Sequence, residues 1–381
     1  MKALTPIQQR RLRNFRKNRR GFWSLWVFLA VFGLTLVAEL IANDRPLVIS
    51  YQDTLYFPVV QTVPEETFGG FLPTDADYRD PFIADEILDK GWMLWPPIRF
   101  SYDTINYDLD VPSPAPPSAE NWLGTDDQGR DVAARVIYGF RISVLFGLTL
   151  TIASCIVGVI VGAIQGFYGG KIDLIGQRFI EIWSGLPVLY LLIILSGIVQ
   201  PNFWWLLGIM LMFSWMGLVD VVRAEFLRAR NFEYVKAARA LGLDNRKIMF
   251  RHILPNAMVA TLTFLPFILT GAITGLTSLD FLGFGLPSGS PSLGELIAQG
   301  KANLHAPWLG ISAFVSLSLM VKLWRSLVRA AQANPSRHCQ CCGCLMNAMP
   351  AIRVVRSAIA EKICCRRLRN AYARFVAERS A

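Results

Sequence analysis

Residues 231–256, NFEYVKAARALGLDNRKIMFRHILPN, form a polar and basic stretch between two long apolar runs, and its pattern is that of two short helices joined at a glycine. Asn231 is expected to cap the first helix, its side-chain oxygen accepting a free N–H of the opening turn. Glu233 then falls in that turn, where negative charge is favoured. Gly242 is the expected stop, because the residue just past a helix end often needs a positive φ that glycine adopts cheaply. Asp244 is expected to cap the second helix and Pro255 to end it, since the proline ring opposes helical continuation. At helical spacing Ala237, Ala240 and Leu241 share a face with Ala238 beside them, small and apolar enough to enter another protein's groove.

The run Lys236-Ala237-Ala238, then Gly242, then Ile253-Leu254-Pro255 resembles the "EAA" loop of the membrane subunits of ABC-type importers, with lysine where that family usually has glutamate. A second stretch, Leu123-Gly124-Thr125-Asp126-Asp127-Gln128-Gly129-Arg130-Asp131, is similar to the signature of the oligopeptide and dipeptide permease branch. The resemblance runs from about Ser24 to Ser316, and the first external segment is most similar in length and position to that of the Yej-type (microcin C) peptide importers. It implies that Tyr234, Lys236, Ala237, Ala238, Ala240, Leu241, Gly242, Leu254 and Pro255 form the surface that docks on a cytoplasmic ATPase. The implied fold is an all-α polytopic membrane protein with six transmembrane helices and a large periplasmic segment between the first and second.

Composition points the same way by itself. With 53% hydrophobic and 17% charged residues and a mean hydropathy of +0.38, the chain has too little charge for a soluble protein of 381 residues. The formal charge of +10 does not indicate a nucleic-acid partner: residues 1–321 hold 26 basic and 26 acidic side chains, so the whole excess lies in the last sixty residues.

Residues 1–21 carry eight Lys or Arg and no acid, which by the positive-inside rule keeps this end in the cytoplasm. Phe22–Ala42, at ~1.5 Å per residue, is long enough to cross a hydrocarbon core of ~30 Å and is the expected first span. A cleaved signal peptide is disfavoured, because the apolar run exceeds the roughly 7–15 residues of an h-region and no small-x-small site follows. Residues 43–141 are expected to be external, with a short interfacial amphipathic helix over 131–141. From Asn43 to Arg130 there are 16 acidic against five basic residues, and Trp92, Trp95, Tyr102 and Tyr107 suggest that the segment packs against something, a modestly ordered loop capping the outer mouth being favoured over a dedicated substrate-binding domain.

The transmembrane core, residues 142–321, is expected to hold five further spans: Ile142–Phe167, Ile182–Val199, Phe203–Val219, Ala257–Leu279, and one from Pro307 that snorkelling Lys322 and Arg325 extend to about Leu327. Gly158, Gly162 and Gly166 share a face on which a neighbouring helix can approach closely. Pro187 should weaken the ladder near the start of the third span. Asp220 is expected to end the fourth span, and residues 223–256, with eight basic side chains, to face the cytoplasm.

Residues 322–381 form an atypical basic tail with six of the seven cysteines. Its His338-Cys339-Gln340-Cys341-Cys342-Gly343-Cys344 run is rich in soft ligands but fits no structural zinc spacing. No metal site and no cofactor are therefore expected. Gly294, Gly300 and Lys301 imitate a P-loop with one residue too many between the glycines and Ala302 where Ser or Thr must hold magnesium, so no ATP site is expected. His252, His305 and His338 belong to no catalytic arrangement, and the subunit is not expected to be an enzyme.

Two functional classes remain: a transport subunit driven by a partner, and a self-contained channel or ion-coupled carrier. A carrier keeps ionisable groups near the bilayer midplane to bind its coupling ion, whereas these spans keep their charges at their ends, which favours the driven subunit. The resemblance then implies the partners: one or more cytoplasmic ABC ATPase subunits, a second permease subunit forming a pseudo-symmetric heterodimer, a periplasmic substrate-binding protein, a peptide substrate and membrane lipid. It implies a multi-pass place in the bacterial inner membrane with both termini cytoplasmic.

Overall fold

The computed structural model describes residues 19–332 apart from 200, 201 and 288. The basic run before Arg19 and the cysteine-rich tail lie outside these residues. The first helix, α1 (Arg19–Leu36), stops short of the end of its apolar run, and the chain tightens into a 3₁₀ turn, Ala38–Leu40. That tightening tucks Ala38 and Ala42 among Ile98, Phe100 and Ala134, and lets the Tyr138 hydroxyl donate to the Ala42 carbonyl at 3.0 Å.

Between α1 and the next long helix the chain is not a loop. Strands β1 (Val48–Tyr51), β2 (Thr54–Tyr56) and β3 (Gly91–Leu94) form an antiparallel sheet in the order β2-β1-β3, with Ile49 facing both Tyr56 and Met93. Helix α2 (Pro81–Lys90) enters β3 directly; Asp80 caps it by accepting the Phe82 N–H, and Pro81 fills the first turn, where no N–H is needed. Ile49, Tyr51, Phe68, Tyr78, Ile83 and Ile87 close a separate core between sheet and helix. The chain is mainly helical, as expected, but this segment is a small αβ unit and not a modestly ordered loop. Trp95 and Tyr102 pack as expected, whereas Trp92 and Tyr107 are exposed.

The expected interfacial helix and second span are one element, α3 (Val132–Tyr168), capped by the Asp131 carboxylate accepting the Ala134 N–H at 2.7 Å. At ~1.5 Å per residue it is about 56 Å long, nearly twice a hydrocarbon core, so it protrudes. Residues 131–141 do not lie flat because both of their faces are covered: Val132, Ala134, Arg135 and Tyr138 are all buried. After a glycine turn come α4 (Gly170–Ser184) and α5 (Val188–Ser196), bent by 62° across Gly185–Pro187. The expected third span is thus the second half of a broken pair, as the missing N–H of Pro187 favours.

Helices α6 (Phe203–Ser214) and α7 (Met216–Ala229) make one span with a break at Trp215. It runs past Asp220, which therefore does not end it; the basic residues beyond lie on the same helix. Helix α8 (Glu233–Ala240) follows, and then a helical turn at Asn245–Lys247 runs through a π-helix, Ile248–Ile253, straight into α9 (Leu254–Phe281). Pro255 does not end a helix but sits in the first turn of α9. The π turn makes this possible: the Leu254 N–H reaches back to the Met249 carbonyl, and the widened backbone accommodates a ring that lacks a donor. Helices α10 (Leu293–Ala302) and α11 (Pro307–Gln332) complete the chain.

Among the described residues four helices are long and apolar enough to cross a membrane, residues 132–168, 203–229, 261–281 and 307–326, or five if the bent pair counts as one. Helix α1 lies antiparallel on α11, with the Ser24 hydroxyl donating to Ser326 at 2.8 Å and Phe28 meeting Trp324 at 5.6 Å.

Candidate coupling segment and its buried charge anchor

Helix α8 is held at both ends by backbone geometry. Asn231 does not cap it: α7 ends so close upstream that the Asn231 N–H turns back to Arg228, and the cap position falls to Phe232 without a side-chain bond. At the other end Leu243 N–H donates to Ala238 at 3.2 Å and Gly242 N–H to Arg239 at 2.9 Å, a paired closure that needs the left-handed φ of +74° at Gly242. Asp244 stands at the next cap position in extended conformation, again without a side-chain bond.

Two sides of α8 have opposite fates. Val235 and Ala238, one turn apart, are buried with Phe167 of α3, Val222 and Phe226 of α7, and Ile248, Met249 and Ile253 of the π-helix. The Arg239 guanidinium lies over the Phe167 ring at 5.4 Å. Ala238 is only 6% exposed, so it does not belong to the outward face on which the sequence set it. Tyr234, Lys236, Ala237, Ala240 and Leu241 are exposed, Leu241 at 81%, and Lys236 pairs with Glu233 at 3.0 Å. Leu254 packs partly against the buried cluster, while Pro255 is exposed. The nine residues thus separate into an inner key (Ala238 with Leu254), a turn glycine (Gly242) and an outer face.

The key packs against the long helices. A Cβ on Gly158, Gly162 or Gly166 of α3 would lie 2.9 Å from Leu218 Cβ, 2.8 Å from Val222 Cβ and 2.6 Å from Phe226 Cβ respectively. The three glycines therefore let α7 press against α3, and Val235 and Ala238 of α8 pack on the same seam.

At the opposite end of α3 the Leu-Gly-Thr-Asp stretch builds a charge cluster that the sequence did not reveal. Asp126 accepts the Arg130 guanidinium at 2.7 Å, Arg135 at 2.9 Å and the backbone N–H groups of Gln128 and Arg130. Arg135, 0% exposed, also reaches Glu295 of α10 at 2.8 Å and the Ser290 carbonyl at 3.1 Å. Two arginines against two carboxylates leave the cluster neutral, the condition for tolerating buried charge. Asp131 adds a hydrogen bond from Asn121 at 2.8 Å, and burial pushes its carboxyl up. Trp308 Nε1 donates to the Thr125 carbonyl at 3.2 Å. The signature thus pins the start of α3 to α10 and α11. Gly294 and Gly300, the P-loop look-alikes, are packing glycines of α10: their Cβ positions fall 2.3 Å from the Thr277 carbonyl and 2.5 Å from the Gly310 nitrogen.

Comparison with known proteins agrees with this arrangement. The family described as "Binding-protein-dependent transport system inner membrane component" matches residues 158–332, from the glycine stripe to the end of α11. The "Inner membrane ABC transporter permease protein YejE" of Escherichia coli (strain K12) is 61% identical over 323 residues, 85% of this chain and 95% of that protein. The chain belongs to the ABC-importer permease family. In this permease family the "Peptidoglycan transport system permease protein YejE" of Agrobacterium fabrum (strain C58) is also 61% identical, over 84% of this chain and 90% of its own length. The "Oligopeptide transport system permease protein OppC" of Bacillus subtilis (strain 168) is 34% identical over 55% of this chain and 68% of its own length. The chain is an inner-membrane, multi-pass permease of an ABC peptide importer, which decides between the driven subunit and the self-contained carrier.

Proposed function

We propose that this permease moves peptide by alternating access, driven by a cytoplasmic ATPase seated on the outer face of α8 and passing its stroke to α3 and α7 through Val235 and Ala238. The observation that carries this reading is the division of α8 into a buried side and an exposed side, because a lever needs one side for the load and one for the drive. Six spans follow when α1, 18 residues or about 27 Å long, and the bent pair α4–α5 are each counted as one. Residues 223–256 and both termini are then cytoplasmic, residues 43–130 periplasmic. The second permease subunit completes a pseudo-symmetric pair, and a periplasmic binding protein delivers substrate. The relative named for peptidoglycan transport favours cell-wall peptides as cargo, beside microcin C-like peptides.

The test is a pair of substitutions on neighbouring residues. Ala237→Trp blocks the outer face and is expected to leave the subunit's thermal stability unchanged while ATPase copurification, stimulated hydrolysis and peptide uptake fall by about tenfold or more. Ala238→Trp forces an indole into the inner key and is expected to lower stability as well. An Ala237→Trp transporter with normal uptake would sink the proposal.

A further inference from the structure

Beside the α3–α7 seam lies an apolar groove of about 310 Å³. Ile156, Ile160 and Ile164 of α3, four residues apart and all exposed, form one wall; Leu254 and Met258 of α9 form the other, and the exposed Phe250 ring of the π-helix completes the lining. Buried Phe226 and Met249 back it, and both belong to the cluster that covers Val235 and Ala238, so an occupant packs against the coupling seam. No lining side chain carries an oxygen or a nitrogen. The groove follows α3 from Cys155 to Ile164, about 14 Å at ~1.5 Å per residue, close to one leaflet of a hydrocarbon core of ~30 Å. Chain direction sets what stands at its mouth. Helix α3 runs towards residues 231–256 and α9 leaves them, so Ile164 and Phe250 mark the end nearest this segment. One turn ahead of Met249 and Phe250 stand Arg246 and Lys247, and Arg251 lies one turn beyond Lys247. All three are exposed, against the single acid Asp244. The ion pairs nearest in the chain, Arg223 with Asp173, Arg228 with Glu225 and Lys236 with Glu233, leave these three without a carboxylate partner among the described residues.

We propose that the groove seats an acyl chain of an acidic phospholipid whose phosphate lies against Arg246, Lys247 and Arg251. Two features favour a lipid over a second helix. Helices approach closely in a membrane where small residues face each other, but Gly158, Gly162 and Gly166 of α3 are already covered by α7, and the groove wall presents three bulky isoleucines. The apolar lining alone would take any lipid, whereas the basic mouth selects an anionic headgroup, because each Lys or Arg near the membrane surface adds to the attraction. The inference rests on the topology proposed above, which puts residues 223–256 at the cytoplasmic surface, and adds a lipid that packs on the coupling seam.

Photo-crosslinking of the full chain tests it, in phosphatidylcholine nanodiscs that carry a minor share of either phosphatidylglycerol or phosphatidylcholine with a diazirine in the acyl chain, the crosslinked peptides being mapped by mass spectrometry. Labelled phosphatidylglycerol is expected to mark residues 155–164 and 249–258 about tenfold or more above labelled phosphatidylcholine. Arg246→Gln combined with Lys247→Gln and Arg251→Gln should remove that preference, and Ile160→Trp, which fills the groove from an exposed position, should remove the label itself, neither shifting the unfolding temperature. Equal labelling by the two lipids, a preference that survives the triple substitution, or a label that survives Ile160→Trp would overturn the proposal. So would competition by water-soluble glycerophosphoglycerol as strong as that by unlabelled phosphatidylglycerol, the mark of a free-phosphate site, or loss of the label in the assembled transporter, which would give the groove to a partner subunit. A nanodisc offers both leaflets, so the crosslink does not depend on orientation or on coupling: its failure removes the lipid site alone, while uptake by the Ala237→Trp transporter tests the coupling reading separately.

Discussion

Gly242 and Asp126 each make a substitution informative because their surroundings isolate one cause. A Cβ on Gly242 would meet nothing within 4 Å, so any effect of replacing it comes from the backbone and its φ of +74°. Gly242→Val is expected to cost ~1–3 kcal/mol at that turn and to reduce stimulated ATP hydrolysis, while Gly242→Asn, which tolerates the left-handed region, should retain most of it. Equal loss in both would mean that φ is not the determinant. Asp126 presents the converse case, a position defined by its contacts. Removing its charge leaves Arg130 and Arg135 to share Glu295, which is partly open to solvent, so Asp126→Asn is expected to destabilise by about 3–5 kcal/mol and Glu295→Gln by less. Thermal unfolding of the two variants in nanodiscs would give that order, and the reverse order would show that Glu295 is the anchor.

Helices pack as pairs here, and the glycine stripe on α3 sets the closest pair. Gly162→Val places a branched side chain where a Cβ alone would already be 2.8 Å from Val222, so α7 must retreat. The expected result is a loss of about 1–3 kcal/mol together with weaker coupling between hydrolysis and uptake, because α8 keys into the same α3–α7 seam. Normal coupling in a stably folded variant would mean that the seam does not carry the stroke. This packing was legible in the sequence, since glycines four apart advertise a close approach. The 62° bend was half legible: Pro187 marked the place but not that a helix precedes it. The fusion of residues 131–141 with the second span was hidden, because their pattern reads as a separate amphipathic helix although both faces are buried, Arg135 among them. Its partner Glu295 lies 160 residues away, and local periodicity has no access to such a pairing. Ala238 was placed on the wrong side of α8 for a similar reason: three alanines look alike until the apolar side chains of α3 and α7 choose which of them to cover.

Contacts among the described residues relate the ends of the long helices to one another before any membrane is considered. The start of α1 meets the far part of α11 through Ser24 and Ser326, and the end of α1 meets the start of α3 through Glu39 and Arg141 at 2.7 Å. The far end of α3 then carries Phe167 under Arg239 of α8. On the topology proposed above, Arg19, residues 231–256 and the end of α11 share one side, with the αβ unit on the other. The basic residues of the shared side favour the cytoplasm in that proposal. This is checked in a chain whose seven native cysteines have been replaced, carrying either Thr74→Cys or Asn245→Cys, both at exposed positions. A membrane-impermeant maleimide added to spheroplasts should label Thr74→Cys at once and Asn245→Cys only after the membrane is opened. Labelling of both from outside would break the link that α1, α3 and α11 impose between the two sides. The reverse pattern would keep that link but invert the protein, removing the α8 face from the reach of any cytoplasmic ATPase.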